Sequence, residues 1–276
     1  EGHFVKSNSE AVSVHGIISD AAFFYSHLKR TMEKPKRLYF DIETSPNIGF
    51  FWTAGYKQNI DYSNIIRERE IICICYKWEG SRQVHSLQWD GKQSDKKMLI
   101  DFMDVMKEAD EMIGHNGDKF DLAWIRTRCL FHRIPMFPSY RTIDTLKVSR
   151  SKFRFNSNRL NYIADYLGVG NKHHTTFDLW RKIVLDKSDS AMKKMVAYCK
   201  QDVKLLERVF IELAPHVEPK THHGVLAGQD RGSCPHCGSV AGLHRRRLTS
   251  TPTGLLKAQY SCVKCNRWHT KTYKGE

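Results

Sequence analysis

The feature that most restricts how this chain can fold is a short apolar run that carries two acidic residues at its end. The segment Leu38-Tyr39-Phe40-Asp41-Ile42-Glu43 has the apolar and aromatic content of a β-strand. Side chains two positions apart on a strand point from the same face, so Asp41 and Glu43 share a face. Burying two neighbouring anions is costly unless cations compensate. The run therefore predicts either a strand that presents a cation site or a strand whose end lies in water.

Strand and helix patterns alternate after this run. Further strand patterns cover Ile71–Trp78, Gln83–Trp89 and Glu111–Gly114. Helical patterns cover Asp20–Met32, Lys96–Glu108, Phe120–His132, Arg159–Leu167 and Ser188–Leu213. Strands interleaved with helices predict an α/β fold, in which a mixed sheet is flanked by helices.

Two later segments carry further acidic residues. The run from Gly114 to Asp121, Gly-His-Asn-Gly-Asp-Lys-Phe-Asp, has the composition of a strand-to-helix turn. Asp121 there either serves a site or favours the first helical turn through the helix dipole. Within the last helical pattern, Tyr198 and Asp202 are four residues apart and lie on one helix face. Each feature alone is also typical of an ordinary surface, so the case rests on their combination.

Together the three motifs resemble the DEDD superfamily of 3′→5′ exonucleases. The order Asp-x-Glu, Gly-x-Asn-x3-Phe-Asp and Tyr-x3-Asp is similar to that of the DnaQ-like proofreading exonucleases, and the tyrosine resembles their DEDDy branch. The segments Arg141–Leu146 and Ser157–Leu160 are similar to parts of the exonuclease domain of family-B DNA polymerases. The resemblance covers about residues 37–213 and implies a ribonuclease H-like fold.

The resemblance also implies a metal-dependent mechanism. Phosphodiester hydrolysis needs an activated water and neutralisation of developing charge, which two Mg²⁺ or Mn²⁺ ions can supply. The implied ligands are Asp41, Glu43, Asp121 and Asp202, with Asp41 shared by both ions. Tyr198 is implied to orient the attacking water. Asp118 competes with Asp121, but the motif places the ligand directly after Phe120.

Three residues near these motifs are expected to bind nucleic acid. Asn116 and Phe120 match family positions near the 3′ end of the bound strand, and Thr44 directly follows Glu43. Phe120 has an equally ordinary alternative, which is packing in the core.

The C-terminal segment carries a separate motif of two C-x2-C pairs. Cys234 and Cys237 are separated by 24 residues from Cys262 and Cys265. Four thiolates at this spacing predict one closed, structural zinc site in a small β-rich ribbon, similar to the zinc ribbons of nucleic-acid enzymes such as transposases. Zinc binding would stabilise a segment too short to bury its own core. The other cysteines lie singly in apolar segments, which indicates reduced thiols and a cytoplasmic location, with the nucleus or a host cell's cytoplasm as alternatives.

The positive net charge of the chain indicates what kind of molecule it binds. The net charge is +14, and residues 215–276 hold ten Lys and Arg against three acids. Such a surplus favours nucleic acid, although a solvated basic face is the alternative. The loop predicted between the two C-x2-C pairs, or knuckles, contains Arg245, Arg246 and Arg247, which are expected to bind a nucleic-acid strand. The alternative is that the ribbon docks another protein. The stretch Lys147–Arg159 is a second basic segment, which either flanks the expected active-site groove or is a solvated loop. No run of 18 apolar residues occurs, which predicts no membrane partner.

These observations predict four segments. They are an N-terminal extension at 1–36, an exonuclease domain at 37–214, a linker at 215–232 and a zinc ribbon at 233–276. The expected activity is release of nucleoside monophosphates from 3′ ends of single-stranded or frayed DNA. An RNA 3′→5′ exonuclease and a non-catalytic nucleic-acid-binding module are alternatives. A further one is an exonuclease subunit that works with a replication or repair protein.

Overall fold

The computed structural model describes residues 36–53, 55, 59–137, 139–170 and 175–273. The helix predicted at Asp20–Met32 lies outside these residues, so it stays a prediction. None of the described helices combines the length and apolar character needed to span a membrane.

The described residues form ten strands and seven α-helices. The strands are β1 (Arg37–Thr44), β2 (Ile48–Gly49), β3 (Ile65–Arg67), β4 (Ile71–Trp78), β5 (His85–Gln88), β6 (Glu111–Gly114), β7 (Thr142–Asp144), β8 (Leu243–Ser250), β9 (Leu256–Cys262) and β10 (Trp268–Thr272). The helices are α1 (Lys96–Lys107), α2 (Asp121–Phe131), α3 (Thr145–Lys152), α4 (Leu160–Tyr166), α5 (Phe177–Val184), α6 (Asp189–Leu213) and α7 (His223–Leu226).

A five-stranded mixed sheet lies at the centre, in the order β5-β4-β1-β6-β7. The pairs β5–β4 and β4–β1 are antiparallel, whereas β1–β6 and β6–β7 are parallel. Helices cover both faces. The predicted α/β fold with a mixed, ribonuclease H-like sheet is therefore confirmed.

Successive side chains of β1 point to opposite faces of the sheet, so they pack in two different hydrophobic clusters. Leu38, Phe40 and Ile42 pack in a cluster with buried residues of α1 and α2. Tyr39 points to the other face and packs in a cluster with buried residues of α6. Because Asp41 and Glu43 follow Tyr39 at spacing two, they lie on the face that α6 covers.

Helix α6 is the longest described element, with 25 residues. It begins after Ser188, whose side chain accepts a hydrogen bond from the Ala191 N–H, and ends just before Pro215, close to the predicted bounds. Its apolar face, which includes Met195, Val203 and Phe210, packs on the sheet.

A three-stranded antiparallel sheet in the order β10-β9-β8 forms the C-terminal part. It confirms that this part of the chain is rich in β-structure. Arg245, Arg246 and Arg247 lie within β8 and not in a loop, because the chain between the knuckles forms an extended hairpin. That correction places the three arginines on an exposed strand.

A buried polar network joins the sheet to the segment before the ribbon. Glu111 Oε2 accepts a hydrogen bond from Arg37 Nε at 2.8 Å and lies 3.2 Å from His223 Nε2. His223 belongs to α7, within the segment interpreted from the sequence as a linker, and its N–H donates to the Pro235 carbonyl. The first cysteine knuckle is thereby attached to the start of β1.

This network should make stability depend on acidic pH. Burial would raise the pKa of Glu111, but hydrogen bonds from His223 and Arg37 outweigh it and lower the pKa from 4.5 to about 2. A lowered folded-state pKa means that the stability contributed by Glu111 is fully present above pH 4.5 and is lost as pH falls toward 2. We expect about 3 kcal/mol from this group at neutral pH.

Urea unfolding of Glu111→Gln from pH 2 to 7 tests this expectation. The gap to the unmodified protein should be largest at neutral pH and should close toward pH 2. Glu108→Gln, at an exposed salt bridge with Lys36, is the matched control. A constant gap across the range would contradict the expectation.

Candidate active site

Three carboxylates from two elements meet at one point. Asp41 and Glu43 on β1 and Asp202 on α6 each offer an oxygen atom, and these atoms lie within 4.8 Å of one another. Asp202 is buried, whereas Asp41 and Glu43 are half-buried. The site therefore gathers three carboxyl groups at the boundary between core and solvent.

Packing on both sides of β1 positions these side chains. The β1–β4 register pairs Asp41 with Cys75 and Glu43 with Cys73. The indole of Trp180 on α5 donates a hydrogen bond to the Thr44 carbonyl at 3.1 Å, which fixes the end of the strand. Thr44 therefore adjoins the carboxylates through its place on β1.

Tyr198 lies one helical turn before Asp202 on α6, as the spacing predicts. It packs partly against the core cluster beneath the sheet, and it borders a cavity of about 750 Å³ between α5 and α6. Tyr198 is therefore partly held by the core at the border of this cavity.

Asp121 stands apart from the three-carboxylate group. It is the first residue of α2, and its Oδ1 accepts a hydrogen bond from the Ile42 N–H at 3.1 Å. The pairing between β1 and β6 ends at Tyr39, so Asp121 takes an N–H that β6 does not reach. The structure therefore places Asp121 against the backbone between Asp41 and Glu43.

The environment of Asp121 opposes a negative charge. Burial raises the pKa of its carboxyl from 3.8 to about 7, against the effect of the Ile42 hydrogen bond, and the charge of Asp144 adds to the rise. A nearby cation would restore the ionised form. Asp118, the competing candidate, forms a salt bridge with Lys147 at 2.6 Å.

The turn before α2 is tightly folded. A Cβ atom on Gly114 would lie 3.0 Å from the Gly117 Cα, so glycine lets the two backbones approach. Asn116 has φ +66°, and its N–H donates to Asp144 Oδ1 at 2.9 Å. Phe120 is half-buried and packs partly against the core, so the alternative reading of this residue holds in part.

A polar cavity of about 540 Å³ opens beside the carboxylates. Its lining includes Asp41 and Asp202 together with Arg150, Asn158 and Arg159. His115 also lines it, with Nδ1 2.9 Å from Thr145 Oγ1 and Nε2 2.9 Å from the Asn158 carbonyl. The basic stretch Lys147–Arg159 thus contributes to the groove, which was one of its two interpretations. The place of His115 was missed, because its partners are about 30 and 43 residues away.

The four C-terminal cysteines form a second candidate metal site. Their sulfur atoms lie within 4.8 Å of one another, and the pairs Cys234–Cys265 and Cys237–Cys262 are each 3.7 Å apart. Tetrahedral zinc with bonds of about 2.3 Å separates its sulfur ligands by roughly 3.8 Å. The cysteines therefore fit one zinc ion.

The ribbon also carries a basic and aromatic surface. Arg245 Nη1 donates to the Tyr273 hydroxyl at 3.0 Å, and its guanidinium lies over the ring. Arg246 Nε donates to Ser261 Oγ, and its guanidinium lies over Trp268. Arg247 is exposed on the same strand.

Comparison with known proteins supports these observations. The chain over residues 38–214 matches a family model described as RNase_H superfamily. A search of curated protein sequences found no significant match. The structure is similar to that of the family B DNA polymerase from the hyperthermophilic archaeon Pyrobaculum calidifontis, with TM-score 0.53 and 14% identity, over 80% of this chain. The match spans 31% of that polymerase, so the likeness concerns the fold. By the extent of the family match, the chain belongs to the RNase_H superfamily.

Proposed function

We propose that this protein is a metal-dependent 3′→5′ exonuclease that acts on single-stranded or frayed DNA. The observation that carries the proposal is the meeting of Asp41, Glu43 and Asp202 within 4.8 Å, with Tyr198 one turn from Asp202. Membership in the RNase_H superfamily supports nuclease activity in general.

The carboxylates suit divalent cations. Mg²⁺ and Mn²⁺ prefer oxygen ligands, and Asp41, Glu43 and Asp202 would hold them, with Asp121 adjoining from α2. The bound ions would supply an activated water and neutralise charge on the phosphate.

The chain's own groups would complete the chemistry. The Tyr198 hydroxyl, on a ring held by the core, would orient the attacking water. Arg150 and Arg159 in the polar cavity would hold phosphates of the bound strand. Thr44, Asn116 and Phe120 would contact its 3′ end.

The ribbon would act as a strand grip stabilised by one zinc ion. Its exposed strand β8 carries three arginines, of which Arg245 lies over Tyr273 and Arg246 over Trp268. Basic side chains next to aromatic rings suit backbone contact and base stacking. We propose DNA rather than RNA because the three motifs resemble those of DNA proofreading exonucleases. RNA is the second substrate to be tested.

End-labelled strands test the reaction. Linear single-stranded DNA labelled at its 5′ end should shorten stepwise from the 3′ end and release nucleoside monophosphates, while circular DNA should survive. Omitting Mg²⁺ and Mn²⁺, rather than adding a chelator, keeps zinc in the ribbon. Cleavage of circles, or faster digestion of matched RNA, would overturn the corresponding part of the proposal.

Asp41→Ala should slow this digestion by roughly a thousandfold or more, because it removes a ligand from the metal-binding group. Asp118→Asn is the matched control, since Asp118 lies on the same turn as Asp121 but pairs with Lys147. Full activity in Asp41→Ala, or equal loss in both variants, would contradict the assignment.

Asp121→Asn should lower the nuclease rate and raise the stability of the metal-free protein. The raised pKa means that Asp121 costs the metal-free protein stability as pH rises from 3.8 to about 7. Asparagine keeps an acceptor for the Ile42 N–H without this cost. In buffer without Mg²⁺ or Mn²⁺, the variant should melt a few degrees higher at pH 8 and much closer to the unmodified protein at pH 4. Its nuclease rate should nevertheless fall, and a variant that is active and no more stable would refute this role.

Replacing Arg245, Arg246 and Arg247 together by Gln should weaken the salt dependence of strand binding. Each lost phosphate contact reduces the slope of log affinity against log salt by about 0.7 on single strands. Fluorescence anisotropy at several salt concentrations gives the slope. A variant with Gln at Lys96, Lys97 and Lys107 on α1 removes equal charge elsewhere. Equal slopes in both variants would favour a ribbon that docks another protein.

A further inference from the structure

Three buried cysteines meet directly behind the carboxylate group. Cys73 and Cys75 are alternate residues of β4 and share a sheet face, and Cys199 lies on α6, which covers that face. The three sulfur atoms lie within 4.8 Å of one another, and all three side chains are 0% exposed. The cluster is thus held together by packing of two separate elements.

The cluster touches the carboxylate group through Asp41. Cys199 Sγ lies 3.7 Å from Asp41 Oδ2 and 3.5 Å from the Asp41 carbonyl oxygen. Asp41 also pairs with Cys75 in the β1–β4 register. Because Asp41 lines the polar cavity, it is the group through which an ion in the cavity could reach the thiols.

The donor set differs in kind from the carboxylate group. Three thiolates and one carboxylate make four ligands, which is the coordination that zinc and cadmium take with sulfur-rich sites. Sulfur ligands of tetrahedral zinc lie roughly 3.8 Å apart, so the thiols need to approach by about 1 Å at most. Side-chain rotation supplies movements of that size.

We propose that Cys73, Cys75 and Cys199, with Asp41, form a second site for a thiophilic divalent cation of the zinc and cadmium class. Binding releases the thiol protons to solvent as the metal–sulfur bonds form. A bond from Asp41 to the ion in the thiol site would draw this carboxylate away from Glu43 and Asp202, so occupancy of the thiol site inhibits the nuclease. The inhibition rests on the proposed function, whereas the binding does not.

Cadmium titration of the full zinc-loaded chain, in which cadmium also displaces zinc from the four thiolates of the ribbon, tests the binding. A non-thiol reductant keeps the cysteines reduced, Mg²⁺ is left out so that Asp41 stays available to the thiol site, and ultraviolet thiolate-to-metal absorbance reports sulfur ligation only. The unmodified protein should bind two equivalents, one in the ribbon and one in the thiol site. Cys73→Ala/Cys199→Ala should bind one.

Cys129→Ala is the matched control, because Cys129 is a buried cysteine in the core cluster on the other sheet face. It should bind two equivalents. A single equivalent in the unmodified protein, or equal loss in Cys129→Ala, overturns the site. If the double variant fails to fold by circular dichroism, Cys75→Ser replaces it and should weaken binding of the second equivalent at least about tenfold, consistent with loss of one soft ligand.

Nuclease turnover on single-stranded DNA tests the inhibition. Each protein is compared with itself, with and without one added equivalent of cadmium beyond the ribbon's. The unmodified protein and Cys129→Ala should lose at least about tenfold in rate, or roughly 1.4 kcal/mol of barrier, and the double variant should lose much less. Equal inhibition in all three overturns the shared role of Asp41. Two bound equivalents without any nuclease activity would instead reject the proposed function and leave the thiol site standing.

Discussion

The packing of α6 against β1 and β4 is the interaction on which the rest of the structure depends. Apolar residues of α6 reach across the sheet to Tyr39 and Ile72, and this contact brings Asp202 to the two acids of β1. Hydrophobic burial along this 25-residue helix stabilises the arrangement that holds the three carboxyl groups together. A shift of α6 by one turn would separate Asp202 from Asp41, while most of the apolar contact could reform. The apolar face of the helix therefore sets the geometry of a polar site.

Asp95 and Asp121 are both buried, but their environments shift the carboxyl pKa in opposite directions. Asp95 is fully buried, and its oxygens accept hydrogen bonds from Arg128 and His132 and from the Ile71 N–H. Burial opposes its charge, but these partners lower the pKa of the carboxyl. Asp121 is buried to a similar degree, yet burial prevails and its pKa rises. A buried acid that the protein leaves undercompensated is a marker of a functional site. The proposed cation would stabilise the ionised form of Asp121, which burial alone disfavours.

Sequence periodicity was sufficient to predict the long helices and strands. The strands β1, β4 and β6 and the helices α1, α2 and α6 follow their apolar patterns closely, because each buries a face of its own. The hairpin β2–β3, the three-residue strand β7 and helix α5 were missed, since short elements depend on distant partners such as the Asp144 contact with Asn116. The meeting of Asp41, Glu43 and Asp202 was anticipated only because three motifs resembled one family. The separate position of Asp121, and the Arg37–His223 contact across 186 residues, could not be read from local pattern.

The contact between Arg37 and His223 attaches the C-terminal part to the start of β1, and this fixes its distance along β1 from the carboxylates. Arg37 and Glu43 stand at opposite ends of one strand, six residues apart, and a strand rises about 3.3 Å per residue. The tether of the C-terminal part and the carboxylates are therefore separated by about 20 Å of stiff β-structure. A nucleic-acid strand in contact with both the carboxylates and the tether would have to span about 20 Å, which a shorter fragment cannot do.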